Sequence, residues 1–81
     1  MVIRIKGLDA ETFTQVNETF GCGRWYVEKQ VGMEDDVLLV NVMLDDNVVI
    51  LKTHGEDEIM LDKGGVKLFI NASNFREVTI V

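Results

Sequence analysis

The sequence predicts an α+β fold: one N-terminal amphipathic helix packed on a curved, mostly antiparallel sheet or small open barrel, in the order β-α-β-β-β-β-β-β. Three observations predict it. Only residues 9–20 carry apolar side chains at helical spacing. The rest of the chain is a series of short β-branched and aromatic runs separated by turn residues. The helix offers a single apolar stripe, whereas the strands are apolar on both faces, so the sheet must curl on itself or associate with another copy.

Residues 2–6 alternate, Ile3 and Ile5 facing one way and Val2, Arg4 and Lys6 the other, and Gly7 ends this half-buried strand. Asp9 then has the position of a helix N-cap, with Glu11 in the first turn, where the positive end of the helix dipole favours an acid. Leu8 and Phe13 have the spacing of a hydrophobic staple. Phe13, Val16 and Phe20 form the stripe of a helix over about residues 9–20, and Gly21 stops it.

The remainder reads as β. Arg24–Val31 contains Trp25, Tyr26, Val27 and Val31. Side chains alternate along a strand, so Trp25, in phase with Val27 and Val31, is expected in the core, and Tyr26, in phase with Glu28 and Gln30, outside. Val37–Leu44 is almost wholly apolar and reads as a central strand buried on both faces, interrupted by Asn41, which either pairs across strands or sits at an interface. Asp45-Asp46-Asn47 is turn chemistry, Val48–Thr53 a return strand and His54–Glu58 a polar loop. Ile59–Leu61 and Val66–Ile70 flank the hairpin signal Asp62-Lys63-Gly64-Gly65. Asn71–Asn74 turns the chain again and Phe75–Val81 closes what reads as a meander.

Length and composition bound the function. The chain has 81 residues, 47% hydrophobic and 27% charged, which suits one domain over 1–81 and is too apolar for a disordered tail. No apolar run approaches the roughly 20 residues that span a membrane, and the first residues lack a secretory pattern. With one cysteine, Cys22, there is no internal disulfide framework, so a reducing cytoplasm is the expected compartment. The formal net charge of −6 and the scattered cations argue against direct nucleic-acid or anionic-membrane binding.

The charge is unevenly placed. Between Glu34 and Asp62 nine acids face only Lys52, a formal −8, and the rest of the chain carries +2. In an antiparallel meander successive turns alternate between the two ends of the sheet, so the triplets Glu34-Asp35-Asp36 and Glu56-Asp57-Glu58 are expected to share one end and concentrate a negative field there. The triplets lack the alternating ligand pattern of a calcium loop, so no metal and no cofactor are expected.

His54, the only histidine, has no identifiable partner. Cys22 follows a helix C-terminus, whose negative dipole end disfavours a thiolate, so it reads as an inert small residue. The chain shows no catalytic constellation, zinc-ligand spacing or phosphate-binding loop. The expectation is a small acidic, non-catalytic protein-binding module, an inhibitor or regulator. It would dock on a basic, nucleic-acid-binding surface of a partner protein through Glu34, Asp35, Asp36, Glu56, Asp57, Glu58 and Tyr26. The alternative is a homo-oligomeric structural or assembly subunit, a homodimer for instance, in which the sheet face carries the contact and the acids only solubilise.

Overall fold

The computed structural model describes residues 2–30, 32, 37–52 and 57–80. The elements are β1 (Ile3–Asp9), α1 (Ala10–Phe20), β2 (Cys22–Gln30), β3 (Val37–Leu44), β4 (Val49–Lys52), β5 (Glu58–Lys63), β6 (Val66–Asn71), a 3-10 turn (Ala72–Asn74) and β7 (Glu77–Ile80). The fold is α+β with antiparallel pairing throughout. The strands fall into two sheets, four strands in the order β2-β3-β1-β7 and three in the order β4-β5-β6, and no barrel closes among the described residues. The helix follows the first strand.

This corrects the single curved sheet expected from sequence. The Asp45–Asn47 turn forms as its chemistry dictates: Asn47 N–H donates to Asp45 Oδ1 (2.8 Å) and Val48 N–H to Asp45 O (3.0 Å). It does not, however, fold β4 back onto β3. Both edges of β3 are already occupied, by β2 and β1, so the chain passes into the second sheet, where β4 pairs with β5.

α1 packs on β1 and β3 of the larger sheet and on β6 of the smaller. Asp9 caps it as expected, its Oδ1 accepting from Thr12 N–H at 2.7 Å, and Gly21 ends it at φ +75°, its N–H reaching Asn17 O. The face turned inward carries Thr12, Val16 and Phe20; Phe13 is only half-buried. One buried cluster joins the elements: Ile3, Ile5 and Leu8 from β1, Val16 and Phe20 from α1, Val40, Val42 and Leu44 from β3, and Val48, Leu61 and Ile70 from the smaller sheet and its approach.

At the C-terminal end of α1, Lys63 Nζ donates to Phe20 O (3.4 Å) and meets Asp45 Oδ2 (3.5 Å). The last turn of α1 has no basic residue of its own, so a lysine from β5 supplies the positive charge that its carbonyls favour. The neighbouring hairpin is the one predicted: Lys63 pairs with Val66 across Gly64 and Gly65, whose φ angles of +60° and +91° suit a two-residue turn.

Candidate interaction surface

β1 was expected to stop at Gly7. It continues to Asp9 because Lys6 and Gly7 together oppose one residue of β3, a bulge between the pairs Ile5–Val42 and Leu8–Val40. The opposed residue is Asn41. Its Oδ1 accepts from Gly7 N–H at 3.0 Å, and its Nδ2 donates to Glu28 Oε2 at 3.1 Å. Asn41 is buried, so the amide that interrupts the apolar strand serves to satisfy the bulge and to tie β1, β3 and β2 in one register. Of the two roles open from sequence, the structure selects pairing across strands. Gly7 has φ +73°, and a Cβ there would stand 2.7 Å from Arg76 Cγ. Arg76 N–H in turn donates to Lys6 O at 2.8 Å, so the bulge, Asn41 and the start of β7 interlock.

β2 lies at the edge of the larger sheet, one strand beyond the two, β1 and β3, on which α1 packs. Its register with β3 is regular from Arg24 to Gln30, with a bulge between Cys22 and Arg24. Trp25 is 51% exposed, Tyr26 61% and Val27 50%. The expectation that Trp25 belongs to the core is therefore corrected. Its phase is right, because it lies on the helix side of the sheet with Val27, but α1 covers β1 and β3 and leaves the edge strand open. Trp25 meets only the flank of the helix, its ring centroid 5.0 Å from that of Phe13 at a tilt of 50°. Leu38 and Val37 at the start of β3 are exposed as well, so the central strand is buried only from Leu39 inward, with Met43 half-buried.

On the opposite face the pairing sets Arg24, Tyr26 and Glu28 of β2 beside Met43, Asn41 and Leu39 of β3. Arg4 lies across from Met43, and Thr79 and Glu77 pair with Arg4 and Lys6. Arg4, Lys6, Arg24, Tyr26, Asn41 and Met43 line an open concavity of about 440 Å³. Three of the eight cations, scattered in the sequence, thus gather on one sheet face of an acidic chain. None of the three has an ion-pair partner among the described residues. Glu77 and Glu28 stand at the rim of this face.

Of the acidic residues singled out from sequence, Glu34, Asp35, Asp36 and Glu56 lie outside the described residues, as does His54. Asp57 and Glu58 are exposed at the start of β5. Asp57 O accepts from Ala72 N–H, which fixes it beside the 3-10 turn that packs on β1. The sequence argument that the two triplets share an end counted turns in one meander. β3 and β5 belong to different sheets, so that count does not apply.

Cys22 is half-buried at the start of β2, its N–H donating to Asn17 Oδ1 at 3.0 Å. It lines an open concavity of about 560 Å³ with Asn17, Arg24, Asp45 and Asp46. Burial pushes its thiol above the ordinary cysteine value, the reverse of what a nucleophilic thiol needs. Among the described residues no three His, Cys, Asp or Glu side chains converge on a common metal position, and no helix is long and apolar enough to cross a membrane.

The chain matches no known protein family, no curated protein and no solved structure. The basic sheet face and the open edge at Trp25 escaped the sequence reading. Alternation along β1 and β2 puts Arg4 with Lys6 and Arg24 with Tyr26 and Glu28, but only the order β2-β3-β1 brings the two sets together.

Proposed function

We propose that this chain is a small acidic, non-catalytic protein-binding module, an inhibitor or regulator that docks on a basic surface of a partner protein and competes there with nucleic acid. One observation carries the reading: the start of β3 exposes Val37 and Leu38, which follow Glu34, Asp35 and Asp36 directly in the sequence, and the paired strand β2 exposes Tyr26 on the same face as Val37. Apolar anchors beside concentrated charge suit a docking surface, in which the acids steer and orient and the aromatic supplies contact area. Asp57 and Glu58, exposed at the start of β5 and next to Glu56 in sequence, supply a second acidic segment. The raised thiol of Cys22 supports the non-catalytic reading, and a single free cysteine suits a reducing cytoplasm.

The test is affinity purification of the tagged chain from extracts of its native cells at low salt, followed by stepwise salt elution. A basic protein is expected to be retained and released as screening increases. A variant with all six acids of the two triplets changed to lysine loses it, and Tyr26→Ala weakens it. Equal retention by the charge-reversed chain overturns the proposal.

A second reading, self-association, is favoured by the uncovered apolar side chains. Two open sheets and one helix leave Trp25, Val27, Val49, Leu51, Val66 and Phe69 exposed, more apolar surface than isolated side chains would explain.

A further inference from the structure

The geometry points to a second copy of this chain as the occupant of the β2 edge, paired antiparallel to its own β2 about a two-fold axis at Tyr26. The inference rests on the self-association reading and specifies its register. Among the described residues β2 is the longest of the four sheet edges: nine residues, against four in β4, six in β6 and four in β7. β4, β6 and β7 are all shorter and offer fewer residues to a further strand. β2 is exposed on both faces and regular from Arg24 to Gln30, with its outer N–H and C=O groups offered to a further strand.

Two identical antiparallel strands related by a two-fold axis normal to the sheet keep each side chain on its own face, so only registers centred on a residue are allowed. Centred on Tyr26, the stretch Arg24–Glu28 becomes self-complementary. Arg24 lies opposite the partner's Glu28 and Glu28 opposite the partner's Arg24. Trp25 lies opposite the partner's Val27 and Val27 opposite the partner's Trp25. The two Tyr26 side chains meet at the axis. Centring on Trp25 instead sets Arg24 against Tyr26, and centring on Val27 sets Tyr26 against Glu28; neither joins opposite charges.

The charges are available for this use. Arg24 has no ion-pair partner among the described residues, and Glu28 receives only the Asn41 amide on one oxygen. The Trp25–Val27 pairs lie on the face where the rim of α1 ends, so they extend the Phe13–Trp25 contact. The product is a continuous eight-stranded sheet with its longest edge removed.

The experiment measures mass in solution by light scattering and sedimentation for the full chain and two charge variants. Wild type is expected to be a dimer at micromolar concentration. Arg24→Glu places two acids opposite one another twice, and Glu28→Arg places two bases opposite one another twice. Each alone is expected to raise the dimer dissociation constant about tenfold or more. Mixed in equal amounts the two variants restore both opposite-charge pairs and form a heterodimer, a result that loss of folding could not produce. A strictly monomeric wild type overturns this register and the self-association reading together. A dimer indifferent to both variants overturns the register alone.

Discussion

Asn41 is the residue on which the larger sheet turns. A polar amide in the middle of an apolar strand costs free energy unless its hydrogen bonds are met, and here both ends are met, by Gly7 N–H and Glu28 Oε2. Asn41→Ala strands the Gly7 N–H in a buried bulge and is expected to destabilise the fold by about 1–3 kcal/mol in urea denaturation. Asn41→Asp keeps the acceptor for Gly7 but sets a second carboxylate against Glu28. Its loss is expected to be relieved in part by Glu28→Gln, whose amide can donate. If Asn41→Ala and Asn41→Asp are both neutral, the amide does not hold the bulge. The sequence marked Asn41 as out of place but could not choose between its roles. The partners lie 34 and 13 residues away, and a bulge that re-aims them leaves no local pattern.

At the scale of elements, legibility followed locality. The alternation of β1, the Asp9 cap, the Gly21 stop and the Gly64-Gly65 hairpin are each decided within a few residues, and each formed as read. The division into two sheets was not legible. A turn sequence says that the chain reverses, whereas the partner of the next strand depends on which edges are free. Trp25 shows the same limit, since phase assigns it a face and only the position of α1 decides whether that face is covered. The turn between the sheets also carries a pH dependence. The backbone N–H of Asn47 holds the Asp45 carboxyl below its ordinary value, and the Lys63 ammonium adds to the effect. The folded state therefore binds that proton less readily than the unfolded state. Its contribution is present above the ordinary carboxylate value and is lost as pH falls through that value and then through the depressed one. Urea midpoints measured from about pH 5 down to about pH 2 should fall for wild type and fall less steeply for Asp45→Asn. Parallel profiles would show that the Asp45–Lys63 junction adds nothing to acid-side stability.

For the molecule as a whole, size sets the terms. A domain of 81 residues buries a modest fraction of its chain, and this one divides a single core cluster between two open sheets. Burial that one copy cannot achieve can come from a second, and stability then depends on concentration by mass action. If the β2 edges pair, the wild-type unfolding midpoint in urea rises with protein concentration. Where the dimer is the populated native form, each tenfold increase contributes about 1.4 kcal/mol per mole of dimer. Arg24→Glu alone should begin to show this dependence only at about tenfold or higher protein concentration than wild type, because its dimer is weaker, and an equimolar mixture with Glu28→Arg should recover the wild-type slope. The comparison separates the uses of charge on this chain. The acids between Glu34 and Asp62 lie outside the paired stretch of β2, so reversing them should alter salt sensitivity and leave the concentration slope in place. Wild-type curves that superimpose across the accessible range would mean that one copy is stable with its longest edge bare.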